Sequence, residues 1–369
     1  MVRNLHLMYD EKIINRTIQY FEEALPNCNK YIILLRFGKS PQYVKTQAPF
    51  VIYTTYGSKD FWKAVGDVKV YTNIIYHYLG DELVDFTLKI PKTEHITWIV
   101  WGGDLCTELL QYKGLELYAY PEEVSVGRRE RLFPFIYRMI RKKKLKEREM
   151  AIARIGNLCV EDCDSQLLAK YMPHLRFNRR EFFYYPVEDM LASSLIGHES
   201  SGDNIFVGNS ASYTNNHRKV FELLSQHELG NRKVIVPLSY GPSKDLVLKY
   251  GNKLLGRNFF PLTEFVSLDV YNKMMVGANM FIYGNYRQEA WGNIAVALYL
   301  GAVVVMDSQN LFMKQLVDTG FVVFPMEDLE HLLNYKLSTE EKNRNRNLIN
   351  KLYSKPRMLK LIKASFGQV

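Results

Sequence analysis

Short apolar runs recur along the first half of the chain, and between them apolar residues return at the spacing of an α-helix. Apolar runs of this length are typical of buried strands, whereas the i, i+3, i+4, i+7 spacing indicates a helix. The predicted strands are Asn4 to Met8, Tyr31 to Arg36, Phe50 to Thr54, Asn73 to His77, Thr97 to Trp101 and Asn157 to Val160, with helices such as Ile13 to Leu25 and Leu105 to Tyr118 between them. This alternation predicts a parallel sheet covered by helices.

The second half repeats the plan, with predicted strands at Asn204 to Val207, Lys233 to Pro237, Asn258 to Phe260, Ala278 to Tyr283, Ala302 to Met306 and Phe321 to Phe324. A chain of 369 residues is longer than one hydrophobic core usually organises. We therefore expect an α/β protein with two Rossmann-like domains that face each other across a cleft. The predicted domains are 1–190 and 203–345, joined by a Ser-, Gly- and acid-rich linker at 186–203, and a C-terminal helix at 346–369 could cross back to the first domain.

One stretch, Ile205 to Val220, carries the strongest functional pattern. An apolar run ends in a Gly-Asn-Ser turn, and Thr and Asn residues then precede a helical pattern, so a strand leads into a helix whose free N–H groups suit an anion. The candidate donor-binding residues here are Gly208, Asn209, Ser210, Asn215 and His217. The asparagines are equally typical of caps and turns, and His217 of a surface position.

A second stretch, Tyr283 to Asp307, has the same order of strand, polar loop, glycine and helix. Ligands of doubly wound sheets bind beyond the carboxyl ends of the strands, where both turns would lie. Arg287 has the planar guanidinium suited to a diphosphate. The further candidates for donor binding are Gln288, Gly292, Asn293 and, after another predicted strand, Tyr240, which could also be an ordinary loop tyrosine.

The net charge of +9 comes almost entirely from 128–148, where ten Lys and Arg stand against two Glu. Apolar residues alternate with the basic ones at helical spacing, which predicts an amphipathic helix on an anionic membrane surface. The membrane-surface candidates are Arg138, Arg141, Lys142, Lys143 and Lys144. A core-packed helix with a solvated basic end is the alternative. A nucleic-acid patch is disfavoured because the basic residues are confined to one helix without base-stacking aromatics in a basic groove.

Several classes are excluded or disfavoured by what the sequence lacks. No run of about 18 apolar residues occurs, and the start of the sequence lacks the features of a secretory signal. The four cysteines lack the double spacing of a metal site, so we expect no metal and a reduced, cytoplasmic protein. No G-x-G-x-x-G follows the first strand, which argues against a nicotinamide dehydrogenase. A non-catalytic protein that binds a sugar or lipid stays open.

The segment from 262 to 307 resembles the sugar-nucleotide site of GT-B glycosyltransferases. Four segments, WIVWGGDLCTE (98–108), VGNSASYTNNH (207–217), VIVPLSYGP (234–242) and RQEAWGN (287–293), together with NRT at 15–17 and His77, resemble glycosyltransferase family 56. The chain departs from the family pattern at Gly103, where a WGAD-like element is usual, and at QEAWGN, where a QQGIGT-like loop is usual.

The resemblance implies a GT-B fold and an inverting, metal-independent transfer without a cofactor. The implied donor is TDP-4-acetamido-4,6-dideoxygalactose and the implied acceptor is an undecaprenyl-diphosphate-linked disaccharide of enterobacterial common antigen synthesis, reached from the inner face of the cell membrane. A transferase with another donor and a soluble acceptor is the alternative.

An inverting transfer needs a general base for the acceptor hydroxyl, which we expect in the first half of the chain. Asp104, in a Trp-Gly-Gly-Asp turn after an apolar strand, is the first candidate, and capping of the following helix is the alternative. His77 and His6 lie within or at the end of predicted strands and could titrate near neutral pH, although packing roles are more usual for such histidines.

Overall fold

A computed structural model describes residues 3–36, 38–125 and 131–367. It contains two parallel sheets, the first of seven strands in the order β3-β2-β1-β4-β5-β6-β7 and the second of six in the order β10-β9-β8-β11-β12-β13. The strands of the first are β1 Asn4–Tyr9, β2 Asn29–Leu34, β3 Val51–Thr54, β4 Asn73–His77, β5 Ile96–Ile99, β6 Asn157–Cys159 and β7 Asn178–Arg180. Those of the second are β8 Asn204–Val207, β9 Val234–Pro237, β10 Phe259–Leu262, β11 Ala278–Tyr283, β12 Val303–Met306 and β13 Phe324–Pro325.

Helices cover both faces of each sheet, because crossovers between parallel strands are long enough to hold one. In the first half they are α1 Ile14–Ala24, α2 Lys59–Val65, α3 Asp81–Lys89, α4 Pro134–Ile152, α5 Asp162–Tyr171 and α6 Val187–Met190. In the second half they are α7 His217–Leu224, α8 Lys244–Leu255, α9 Leu268–Val276, α10 Trp291–Tyr299, α11 Leu311–Thr319, α12 Leu329–Leu332, α13 Thr339–Leu352 and α14 Lys355–Phe366.

Most of the strands are buried on both faces, which explains why they form continuous apolar runs in the sequence. The two α/β halves confirm the predicted fold class. The last helix, α14, packs its buried Met358, Ile362 and Phe366 against Ile14 and Phe21 of α1. Full burial of a side chain such as Phe366 contributes about 1.5–3 kcal/mol, so this contact attaches the C-terminal helix to the first half. The division at 186–203 stays a proposal.

The prediction of a helix from Leu105 to Tyr118 is wrong. The chain instead forms one π-helical turn, Gly103–Thr107, and a short 3₁₀ turn, Leu110–Lys113. Gly114 then takes a left-handed φ of +96°, which stops any continuing helix. The apolar residues of this segment are buried in the core, so their spacing in the sequence reflects core packing and not a helix.

Two further elements differ from the prediction. The edge strand β7 was missed, because its sequence Asn-Arg-Arg is polar and mostly exposed and so lacks an apolar run. The basic helix α4 runs from Pro134 to Ile152, four residues past its predicted end, and 128–130 lie outside the described residues. Proline at the first helical position favours this start.

Candidate active site

The second sheet ends in two turns that lie side by side, because β8 and β11 are neighbouring parallel strands. After β8 the chain turns at Gly208, whose φ is +67°, and a Cβ there would lie 2.5 Å from Asn215 Oδ1. The same oxygen accepts the N–H of Asn209 at 3.0 Å, and the Asn215 amide donates to Ser210 Oγ at 3.3 Å. The fully buried Asn215 therefore shapes the predicted anion turn from within.

Each of these turns leads into a helix through a residue in the left-handed region. Asn216, before α7, has φ +49°, and Ala290, before α10, has φ +63°. This conformation costs an alanine about 1–2 kcal/mol, and such strain concentrates at ligand sites. The first helical hydrogen bonds come from the N–H groups of Val220 and Ile294, so the three preceding N–H groups of each helix point beyond it. Two adjacent helix N-termini form an edge suited to a diphosphate.

Glu289 joins the two turns, and the sequence analysis did not select it. Its carboxylate accepts hydrogen bonds from Thr214 Oγ1 at 2.7 Å and from Asn285 Nδ2 at 3.1 Å. It also forms an ion pair with Arg287, 3.0 Å from Oε2 to Nη2. The sequence offers one signal for Glu289, which is its position between Gln288 and Gly292, two residues predicted to bind the donor. The carboxylate holds the loop after β11 against the loop after β8.

Arg287 lies at the junction of the two halves, and its side chain is only 10% exposed. Its Nη1 donates to the carbonyl of Gln288 at 2.8 Å, while its buried Nε has no partner. A Cβ on Gly102, in the first half, would lie 2.7 Å from Nη1, and the φ of Gly102 is +83°. Glycine at this position therefore lets the Trp-Gly-Gly-Asp turn touch the guanidinium.

The other predicted donor-binding residues surround the same edge. Gly292 faces open space, with no atom within 4 Å of a Cβ built there. Asn293, one residue later, donates to Tyr271 OH at 2.8 Å. Tyr240 is half-exposed, and its OH accepts a long hydrogen bond, 3.4 Å, from Asn209.

His217 is buried beneath the Gly208 turn, at 4% exposure, rather than on the surface. Its Nε2 has no hydrogen-bond partner and lies 3.0 Å from where a Gly208 Cβ would be. Burial lowers the pKa of the ring to about 3, so His217 is neutral at physiological pH. A neutral ring offers one N–H or one lone pair here, but no charge.

The surroundings of Asp104 argue against its predicted role as general base. The carboxylate is completely buried and accepts four N–H groups. Oδ2 accepts from Leu79 N at 2.8 Å and Trp98 Nε1 at 2.7 Å, and Oδ1 from Trp101 N at 3.0 Å and Leu105 N at 3.1 Å. A carboxylate that accepts four hydrogen bonds holds the Trp-Gly-Gly-Asp turn in place, a role similar to the capping alternative. It cannot reach an acceptor hydroxyl.

The two candidate histidines are also enclosed, with no exposed surface on either. His6 Nδ1 lies 3.0 Å from His77 Nε2, and His6 stacks on Tyr31. Burial lowers the pKa of His6 to about 3 and places that of His77 well below its ordinary value. These rings pack inside the first half, so we do not retain them as bases.

A cavity of about 920 Å³, here called the head cavity, opens at the carboxyl edge of the first sheet. Its aromatic lining consists of Tyr9, Tyr43, Tyr56, Tyr78 and Trp101, and its carboxylates are those of Asp10, Glu11, Asp81, Glu82 and Glu108, against the three cations Arg36, Lys39 and Arg148. Carboxylates bind sugar hydroxyls and aromatic rings stack on sugar rings. Tyr78, which lines the same cavity, has a strained φ of +79°.

Glu11, directly after β1, is the carboxylate of the head cavity best placed for proton transfer. It is exposed, and its carboxylate forms no ion pair within the described ranges. Neighbouring Asp10, by contrast, accepts the N–H groups of Tyr43 and Val44. Partial desolvation, followed by the charge of Asp10, raises the pKa of Glu11. In the sequence, Glu11 belongs to an acidic pair at the end of a predicted strand, a signal that the prediction of Asp104, His77 and His6 did not use.

Lys12 links this turn to the second half of the chain. Its Nζ lies 4.1 Å from the ring centroid of Phe265 and 6.0 Å from that of Tyr240. Tyr240 follows β9, next to β8, so the Glu11–Lys12 turn lies close to the N-termini of α7 and α10, which form the candidate donor-binding edge. The head cavity and that edge therefore face one another.

The basic helix α4 exposes all five predicted membrane-surface residues. Lys144 Nζ forms an ion pair with Asp81 at 2.6 Å, Lys143 lies 3.7 Å from Glu147, and the Arg141 guanidinium lies over the ring of Tyr112. Six apolar side chains just before α4 and in its first two turns are 46–72% exposed: Leu132, Phe133, Phe135, Ile136, Met139 and Ile140. No helix in the described ranges is both long and apolar enough to cross a bilayer. Within those ranges no cluster of three His, Cys, Asp or Glu could hold a metal ion.

The model of a known family matches residues 86–336, which include both turns of the donor-binding edge. That family is described as 4-alpha-L-fucosyltransferase glycosyl transferase group 56. The chain belongs to it. The match confirms the resemblance found in the sequence and makes the protein a glycosyltransferase.

Solved structures similar to this glycosyltransferase cover nearly its whole length at low identity. Trehalose-6-phosphate from E. coli bound with UDP-2-fluoro glucose has a TM-score of 0.62 at 10% identity, over 99% of each chain. An α,α-trehalose-phosphate synthase (UDP-forming) from Burkholderia xenovorans gives 0.61 at 11%, over 99% of this chain and 100% of that one. Sucrose-phosphate synthase from Thermosynechococcus elongatus gives 0.57 at 10%, over 99% and 95%. These similarities confirm the GT-B fold.

Proposed function

We propose that this glycosyltransferase moves an amino-deoxy sugar of the Fuc4NAc type from a nucleoside diphosphate to a saccharide linked to a lipid diphosphate. The observation that carries the proposal is the pair of adjacent helix N-termini, α7 and α10, opposite the head cavity. The helix N-termini suit the diphosphate of a donor, and the head cavity suits a saccharide acceptor. Family membership supports sugar transfer, and the exposed apolar and cationic helix α4 supports a lipid-linked acceptor.

The proposed chemistry is one inverting displacement. Glu11 takes the proton of the acceptor hydroxyl, the oxygen attacks the anomeric carbon, and the bond from that carbon to the diphosphate breaks as the new one forms. The leaving diphosphate takes the electron pair. N–H groups of 217–219 and 291–293 and the unpaired Nε of Arg287 are positioned to stabilise its charge, so we propose that these groups serve where other enzymes use a metal.

Calorimetric titration tests the donor site. We expect TDP or UDP to bind with release or uptake of heat and to raise the unfolding temperature, whereas NAD, which carries a different diphosphate ester, does neither at the same concentration. Ligand that binds only the native state at 100 times its Kd stabilises it by about 2.7 kcal/mol. Absence of binding by any nucleoside diphosphate contradicts the proposed function.

Membrane attachment completes the proposal. The exposed apolar side chains of α4 would enter the headgroup region, and Arg138, Lys142 and Lys143 would lie near anionic lipid phosphates. The enzyme is then peripheral on the inner face of the cell membrane, where a lipid-linked acceptor is presented. This placement is supported by the exposed apolar and basic side chains that α4 carries together.

A further inference from the structure

A second, smaller cavity adjoins the head cavity. This neck groove, of about 200 Å³, lies between α4 and Tyr112 and is lined by Tyr137, Ile140, Arg141 and Lys144. It shares Asp81, Glu108 and Arg148 with the head cavity. The two cavities therefore form one continuous path from the carboxyl edge of the first sheet to the exposed side of α4.

The chemistry of the lining changes in order along this path. The head cavity has more carboxylates than cations, together with five aromatic rings. The neck groove adds two cations, Arg141 and Lys144, and their charges make it net positive. Beyond it, Ile136 and Met139 of α4 are about half exposed. A polyol, an anion and a hydrocarbon chain would each meet a suitable lining, in that order.

We propose that the neck groove binds the diphosphate of a lipid-linked acceptor, with its saccharide in the head cavity and its hydrocarbon chain along the apolar end of α4. This inference rests on the proposed function, because it assigns one part of that acceptor to a place on the protein.

The ion pairs of the groove are compatible with an incoming anion. Asp81 Oδ2 pairs with Lys144, and Asp81 Oδ1 pairs with Arg148 at 3.0 Å. Lys144 is 58% exposed and so is able to turn towards a phosphate. Arg148 is 4% exposed and also donates to the carbonyl of Leu79, so it continues to compensate the charge of Asp81. The Arg141 guanidinium lies over the Tyr112 ring, 5.1 Å from its centre, and so lies on the same side of the groove as Tyr112.

The test compares two water-soluble acceptors that carry the same saccharide, one as a short-chain alkyl diphosphate and one as a methyl glycoside, without membranes. We expect Arg141→Gln/Lys144→Gln to raise the KM for the alkyl diphosphate about tenfold or more, since a charged hydrogen bond contributes about 1.5–3 kcal/mol. Its KM for the methyl glycoside should stay within about twofold of wild type, because that acceptor has no group in the groove.

The matched variant Lys360→Gln/Lys363→Gln removes the same charge from exposed positions of α14, outside both cavities. We expect the ratio of its two KM values to equal that of the wild type. A groove variant with an unchanged ratio, or a matched variant that changes the ratio as much, overturns the assignment of the groove. If the wild type transfers sugar to neither acceptor, the proposed function fails and this inference fails with it. Unfolding temperatures equal to that of the wild type show that both variants fold.

Discussion

We expect Glu11→Gln to lower kcat by about 10²–10⁴-fold while the protein stays folded, because a positioned general base contributes about that factor. Glutamine keeps the size of the side chain but cannot accept a proton. Glu11 is exposed in the head cavity, so the substitution disturbs no core contact. Steady-state kinetics with saturating donor and acceptor, together with thermal unfolding, measure both effects.

The pH profile gives an independent check on Glu11. Its pKa is raised by partial desolvation and by Asp10, and the base acts only when deprotonated. We therefore expect kcat/KM to fall as the pH drops through a value above the ordinary pKa of a glutamate, about 4.3. Glu82→Gln is the matched control, because it removes the same charge from the same cavity and Gln keeps an oxygen for Tyr9 OH. Equal losses of kcat in the two variants would refute the assignment.

We expect the removal of the charges of Arg138, Lys142 and Lys143 together, each by a change to Gln, to weaken binding to anionic vesicles about 100-fold. Each basic residue near an anionic leaflet contributes about 1 kcal/mol, so three contribute about 3 kcal/mol. All three side chains are exposed, so we expect the fold of the variant to be unchanged. Sedimentation with phosphatidylglycerol vesicles at two salt concentrations measures the loss and its screening.

The control for this effect is a triple change of equal charge elsewhere. Lys351, Lys360 and Lys363 are exposed on α13 and α14, and their replacement by Gln lowers the net charge by the same amount. We expect that variant to keep most of its vesicle binding. If both triple variants lose binding equally, attraction by the net charge of the protein explains the result and α4 has no special role.

The sequence predicted most of the strands closely because those strands are buried on both faces. β4, β8 and β11 have the predicted bounds. The polar edge strand β7 has no such pattern. The segment after β5 was predicted as a helix, but its apolar residues belong to irregular turns that pack into the core. Apolar spacing alone does not distinguish such turns from a helix.

The two turns before α7 and α10 were predictable because backbone turns carry local signals such as Gly208 and Gly292. The proposed base, Glu11, was not predictable by the same reasoning. Asp104 follows a strand, as Glu11 does, but tertiary contacts from Leu79 and Trp98 occupy its carboxylate. His6 and His77 also lie in the first half, but only the packing around them shows that they are enclosed. Glu289 depends on partners from two separate loops, which the sequence does not reveal.

The central claim is that the edge formed by α7 and α10 holds a nucleoside-diphosphate sugar for transfer to an acceptor in the head cavity. The most direct measurement incubates the purified protein with TDP-, UDP- and GDP-sugars, including a TDP-amino-deoxy sugar, and a lipid-diphosphate disaccharide, and records both released nucleoside diphosphate and elongated lipid. We expect acceptor-dependent release from the TDP-amino-deoxy sugar, with one sugar added for each diphosphate released. Failure of every nucleotide sugar to give product, by a protein that is folded and attached to vesicles, would contradict the claim.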